Sequence, residues 1–272
     1  MNPAPAGYIE AMHRIRSLRL LALALALAVV AAPGALGAAT GEPPGTPTAT
    51  TFHGTPTVGP LFSNATATQH FCTASVIHSP RGNVLLTAAH CIRGTGAGLV
   101  FAPGFHGGVS PYGRWTVTAA YLDPAWLSSQ NPRRDFAFLL VAPRRIHGHR
   151  RQIERVTGAN RLGFAARAGE RVTVPAYPAG ADNNPITCTT SVYFDGVYPA
   201  FNCNPYPGGT SGSPWLAHGR RVVGLIGGLH QGGCFTWTSY SPPFGTAVRR
   251  VYERAIHGSA PDVAPAAGSD GC

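Results

Sequence analysis

Lysine is absent from this chain: all 21 basic residues are arginine, set against 11 acidic ones for a formal charge of +10. Charge of either sign is scarce, at 12% of residues, and methionine occurs only twice. A nucleic-acid surface is built from clustered basic residues. These arginines are scattered instead, mostly as isolated pairs at 133 and 134, 144 and 145, and 220 and 221. Joint enrichment of Ala, Gly, Pro and Arg reads as GC-rich coding, so nucleic acid is not an expected partner. A net-basic surface still favours anionic partners such as cell-wall polymers. Beyond residue 32 no apolar run is long enough to span a bilayer, and no internal repeat is visible. With 34 glycines, 25 prolines and so few charges, the chain has little material for long polar helices and leans towards an all-β architecture.

What is present begins with an export signal. Arg14, Arg16 and Arg19 precede an apolar stretch over residues 20–32, followed by Pro33, Gly34 and small residues. That stretch is short for a membrane span and reads as the core of a signal peptide covering residues 1–38, cleaved near 37–39. Starting at Met12 instead of Met1 leaves a compact basic region in front of it. The mature chain is therefore expected to be secreted, with no membrane association after signal removal. Six cysteines in an exported chain imply three disulfides. Residues 39–57, rich in Pro, Thr and Gly, read as a flexible leader or short pro-segment.

From residue 58 the pattern changes to short apolar runs between turn residues. Candidate strands cover 71–77, 84–87, 99–101, 115–121, 136–141, 172–176, 187–194 and 221–226, each rich in Val, Ile, Thr, Phe or Tyr. Many short strands at this spacing predict barrels or a sandwich. Helical periodicity supports one helix, over 246–256, where Val248, Val251, Tyr252 and Ala255 form an apolar stripe. Residues 258–272 are small and polar and read as a mobile tail, apart from the final cysteine.

Three dense segments carry chemistry. A serine hydroxyl needs a base within hydrogen-bond reach, an acid to orient that base, and preorganised donors for the developing oxyanion. Ser211 sits in GGTSGSPW at 208–215, where glycines permit a tight backbone that turns the amides of Gly209 and Ser211 into one concavity. A plain Gly/Ser turn would carry the same letters. His90 sits in LLTAAHC at 85–91, beside Cys91, whose obvious disulfide partner is Cys72 on a neighbouring strand. The acid is one of Asp123, Asp135, Glu154, Glu170, Asp182 and Asp195. Only Asp135 directly precedes a dense apolar strand, where a carboxylate can be buried against an imidazole. Asp123, before Pro124, looks like a turn former. Arg133 and Arg134 offer Asp135 a structural salt bridge as the competing role.

TAAHC at 87–91, DFAFLLV at 135–141 and GTSGSPW at 209–215, in that order, resemble the chymotrypsin-like serine peptidases over residues 58–256. The resemblance implies an all-β fold of two antiparallel six-stranded β-barrels with a C-terminal helix. The first barrel would cover 58–155, and the second barrel with its helix 156–257. It also implies a secreted serine endopeptidase with Ser211 as nucleophile, His90 as general base and Asp135 as its orienter. Gly209 and Ser211 would donate to the oxyanion. The partner would be a peptide or protein substrate, met by a monomer with no cofactor and no metal. Two alternatives remain: a catalytically silent homologue binding peptides or cell-surface material, and an esterase using the same triad.

The departures from the family pattern are informative. Trypsin-type members carry Asp immediately before the nucleophile, where this chain has Thr210, and VGPL at 58–61 is not their activation sequence. A neutral residue there resembles the bacterial V8-like glutamyl endopeptidases. Pro205 stands where trypsin-type members bind a basic side chain, and Ile226 where glutamyl-specific members carry His. His230 could substitute only with a shifted register. An apolar pocket formed by Pro205, Tyr206, Ile226, Gly227 and Gly228 is therefore expected. Cys188 and Cys203 flank a strand–turn segment and are expected to pair; Cys234 and Cys272 remain, either paired so as to staple the tail beside the pocket or with one of them free. His147 and His149 lack a third ligand and read as solvated loop.

Overall fold

Short runs of β-branched and aromatic residues, each cut off by Gly, Pro or Asn, pleat into many brief strands rather than a few long ones. The computed structural model describes residues 41–181, 184–269 and 271–272. The expected signal peptide, its cleavage site, both start methionines and Asp182 lie outside the described residues.

In chain order the strands are β1 (Thr50–Thr51), β2 (Val58–Phe62), β3 (His70–Ile77), β4 (Val84–Thr87), β5 (Val100–Phe101), β6 (Trp115–Leu122) and β7 (Ala137–Val141). A hairpin follows, β8 (Arg144–Ile146) with β9 (His149–Arg151). The second half contains β10 (Arg161–Leu162), β11 (Arg171–Thr173), β12 (Ile186–Thr187), β13 (Thr189–Ser191) and β14 (Tyr193–Asp195). It ends with β15 (Tyr198–Asn202), β16 (Pro214–Ala217), β17 (Arg221–Leu225) and β18 (Thr238–Tyr240). The helices are α1 (Pro124–Ser129), α2 (Glu154–Thr157) and α3 (Thr246–His257).

Strands β2-β3-β4-β7-β6-β5 form a closed antiparallel barrel, with β5 pairing back onto β2. Closure leaves no free strand edge. Leu61, Val76, Leu85, Leu86, Phe101, Trp115 and Phe138 are fully buried in it. The segment FAFLLV shows no polar alternation because β7 is covered on both sides. Its outer face meets α3, where Val248, Val251 and Ala255 are buried and the Tyr252 ring lies edge-on to Phe138 at 5.5 Å.

The second half curls around Val172, Val174, Phe201, Tyr206, Trp215, Val223 and Ile226. It gives the double-barrel architecture with an irregular second member: a five-stranded sheet, β10-β17-β16-β11-β13, and a three-stranded sheet, β14-β15-β18. Strand β10 runs parallel to β17, unlike its neighbours. Prolines 175, 178 and 185 lack the N–H groups that would continue a ladder. Even so, Val174 and Ala176 still donate to Cys188 and Ile186, both at 2.9 Å. The expected strand over 187–194 is divided, because β13 pairs with β11 whereas β14 pairs with β15.

Two segments that look loose in the sequence make defined contacts. Residues 41–57 are built into the second half rather than loose. Thr50 and Thr51 pair with Thr187 and Ile186, Ala49 N–H donates to Asn204 O at 2.8 Å, and Asn204 N–H donates to Pro47 O at 2.9 Å. Residues 258–272 are likewise engaged along most of their length. Arg254 binds Asp262 at 2.8 Å, and Gly94 exchanges two backbone hydrogen bonds with Ala264. Small polar residues look solvated in sequence because their partners are backbone groups far away in the chain.

Candidate active site

Strand β4 runs into Ala88 and Ala89, both fully buried, and a tight turn over Ala89–Cys91 presents His90. The Cys72–Cys91 disulfide, with Cα atoms 6.2 Å apart, ties that turn to β3. Across from it, the turn Pro132–Arg134, capped by Asn131, delivers Asp135 into full burial. Three N–H groups converge on this carboxylate. His90 Nδ1 lies 2.8 Å from Oδ2, His90 N–H donates to Oδ1 at 2.9 Å, and Gly228 N–H donates to Oδ2 at 2.7 Å. A buried carboxylate without such donors would cost several kcal/mol, roughly, in lost solvation. With Asp135 accepting from Nδ1–H, His90 Nε2 keeps its lone pair. Asp123 is occupied elsewhere: it caps α1 through Ala125 N–H at 2.9 Å and sits 3.7 Å from Arg134. That arginine is thus the partner of Asp123, not of Asp135.

The loop carrying Ser211 demands glycine at two places. Gly209 has φ +93°, and a Cβ there would lie 2.1 Å from Ala179 N. At Gly212, φ is +85° and a Cβ would lie 2.1 Å from Thr73 O. Thr73 clamps the loop from β3: its N–H donates to Ser211 O at 2.8 Å and its hydroxyl donates to Gly209 O at 3.1 Å. Thr210 closes the turn on itself, its hydroxyl donating to Pro207 O at 2.8 Å. The amides of Gly212 and Ser213 donate to Ile226 and Thr210. Among the described residues, the amides of Gly209 and Ser211 have no such acceptor.

His90 and Ser211 share a cleft of about 580 Å³, with Phe71, the Cys72–Cys91 bridge, Arg93, Leu99, Gln231 and Ala267 in its walls. The residues expected to form the specificity pocket divide. Pro205 is exposed, whereas Tyr206 packs edge-on against Phe201 and donates its hydroxyl to Val174 O at 2.5 Å. Ile226 is buried, and a Cβ on Gly232 would come within 2.8 Å of its Cγ2. Gly227 is so near Asp135 that a Cβ would lie 3.0 Å from Oδ2. His230 lies in the turn Leu229–Gly232, facing Gly271. His147 and His149 are exposed at the β8–β9 hairpin. Cys188 bonds Cys203, and Cys234 bonds Cys272.

Sequence reasoning missed the Gly228 amide, the Thr73 clamp and the presence of Gln231 and Ala267 in the cleft. A backbone amide has no signature in one-letter code. Only the Thr73 neighbourhood, next to Cys72, offered a local hint.

The trypsin-like peptidase domain family matches residues 72–225. No curated protein matches the chain. Among solved structures, the protease Anisep from Arthrobacter nicotinovorans is similar at TM-score 0.65 and 23% identity, over 77% of this chain and 100% of that one. A thermostable serine protease, AL20, from an extremophilic microorganism gives TM-score 0.62 at 24% identity, covering 75% of this chain and 98% of its own. A Glu endopeptidase gives 0.63 at 16% identity, covering 78% and 98%. At these identities the neighbours speak for the fold.

Proposed function

Because the chain belongs to the trypsin-like peptidase domain family, we propose that it is a secreted serine endopeptidase acting through Ser211, His90 and Asp135. The observation that carries the reading is the buried Asp135 carboxylate holding His90 by both its backbone N–H and Nδ1, opposite Ser211 in one cleft. Ser211 Oγ attacks the substrate carbonyl carbon as its proton passes to His90 Nε2. The tetrahedral oxyanion is met by the amides of Gly209 and Ser211, each such donor being worth about 3–4 kcal/mol. The C–N bond breaks as His90 returns the proton to the leaving amine, and water repeats the sequence to free the acid.

Thr210 supports a loop that needs no newly exposed N-terminus for its shape, because its hydroxyl closes the turn within the loop. No charged side chain stands among Pro205, Tyr206, Ile226, Gly227 and Gly228, which favours an apolar residue before the scissile bond. Secretion rests on the N-terminal signal pattern together with three disulfides.

Titration with a fluorophosphonate tests the proposal. One equivalent should label Ser211, and Ser211→Ala should abolish labelling while shifting stability by no more than about 0.5 kcal/mol. Absence of labelling in the folded protein would instead favour the silent, binding role.

A further inference from the structure

Beyond α3 the chain turns back across the molecule. Asp262 is held by Arg254 at 2.8 Å, by Leu122 N–H at 2.8 Å, and through its own N–H to Ala120 O at 2.9 Å. Gly94 and Ala264 then exchange backbone hydrogen bonds of 2.9 and 2.7 Å. Next, the Gln130 side chain grips the backbone at both ends of its amide. Its Oε1 accepts from Gly268 N–H at 2.7 Å, and its Nε2 donates to Ala266 O at 3.0 Å. From the other side Gln231 Nε2 donates to Gly268 O at 2.9 Å, and Cys272 is covalently joined to Cys234.

These anchors lie on both sides of the cleft. Gly94 follows the His90 turn, and Gln130 caps α1 ahead of Asp135, both in connections between strands of the first barrel. Gln231 and Cys234 follow β17 in the second half. The segment therefore crosses from one wall to the other, with Ala267 lining the same cleft as His90 and Ser211. Two glutamine side chains satisfy three of its backbone groups, and a disulfide fixes its far end, so the crossing is built rather than incidental. The cleft beside Ser211 nonetheless stays open.

We propose that residues 264–269, tied down at their far end by the Cys234–Cys272 disulfide, act as a specificity strap that closes one end of the cleft. A small acylating molecule reaches Ser211 past it. A long polypeptide lying through the cleft meets the strap, so the strapped protein cuts internal bonds of short peptides, whose ends fit within the cleft, in preference to those of long chains. Releasing the strap opens Ser211 to internal sites in long chains. This inference rests on the reading of Ser211 as nucleophile.

Reduction is a poor test, because it would also open the Cys72–Cys91 and Cys188–Cys203 bridges. The strap is better released by ending the chain at Val263 with Cys234→Ser, and separately by Cys234→Ser with Cys272→Ser. Gln130→Ala loosens it without touching a cysteine. Two rates are compared for each: labelling by a small fluorophosphonate, and hydrolysis of an unfolded protein, casein. The ratio of hydrolysis to labelling should rise at least tenfold in the shortened chain, and in the same direction but less in the other two. An unchanged or lower ratio overturns the strap. If circular dichroism finds the shortened chain unfolded, Gln130→Ala decides by the same criterion. Failure of every form, wild type included, to label overturns the nucleophile reading itself, and the strap with it.

Discussion

His70 is 2% exposed, and among the described residues neither of its ring nitrogens has a hydrogen-bond partner. Its neighbours are rings: Phe62 at 5.5 Å, Phe105 at 5.7 Å and Tyr177 at 6.2 Å between centroids. Desolvation in this cage pushes its pKa down from 6.5 to about 4. The Tyr177 hydroxyl, which donates to Val58 O at 3.4 Å, is pushed above the ordinary phenol range by its own burial and stays neutral. Between pH 4 and 6.5 the unfolded chain therefore binds more protons at this residue than the folded one does. Its contribution is fully present above that window and is lost as pH falls through it. His70→Leu, apolar and of similar volume, should flatten the decline of Tm with acidification across the window. A Tm profile parallel to that of the wild type would mean that other groups set the acid limb.

Helix α3 does at the scale of an element what no single residue does, covering the outer face of β6 and β7 and launching the segment that recrosses the cleft. Its buried stripe, Val248, Val251 and Ala255, packs on the first barrel, and the Tyr252 hydroxyl donates to His78 O at 2.8 Å. Gly258, at φ +73°, ends the helix in the left-handed conformation, and Ser259 N–H returns to Arg254 O. Val251→Ala removes two buried methyl groups and should cost about 2 kcal/mol, transfer and cavity terms together. Tm should fall by roughly 4–8 °C. Calorimetry checks this, and an unshifted transition would show that the helix is a dispensable cover.

At the scale of the molecule, both ends of the described chain serve as clasps. Residues 41–51 run along the second half, joining β12 and Asn204, which stands next to Pro205. Asn204 Nδ2 also donates to Glu42 Oε2 at 2.9 Å. A chain beginning at Val58 forfeits these contacts, each worth about 1 kcal/mol net, together with the β1–β12 pairing. It should melt several degrees lower than a chain beginning at Gly41. Equal melting temperatures would restore the reading of this segment as a removable leader. The same contacts argue that proteolytic loss of the segment would loosen the second half before the closed first barrel.

Several features were legible in the letters because they are local. Apolar runs punctuated by Gly and Pro fix strands almost at their observed bounds, as at 84–87, and one helix begins at Thr246 as its stripe demands. The glycines flanking Ser211 announce a backbone that only they can adopt, and the strained positions at Gly209 and Gly212 are the physical reason. Asp135 stands out among the acids because the strand directly after it, FAFLLV, is so apolar that its neighbour must be buried.

What only the tertiary structure decided involves pairs of distant backbone groups. Composition marks residues 41–57 and 258–272 as loose, yet their N–H and C=O groups find partners more than a hundred residues away, at Asn204 and at Gly94 and Ala120. No residue type encodes such a partner, because every residue except proline offers the same donor and acceptor. For the same reason, the Gly228 amide on Asp135 and the strap at Ala267 could be found only once the chain had folded. By itself the sequence singled out Ser211, His90 and Asp135, the side chains on which the proposed chemistry rests, because each stands in a dense local motif or directly before an apolar strand. Where the backbone crosses the cleft was decided only by folding, because the groups that hold it there, at Gly94, Gln130 and Gln231, are distant in sequence.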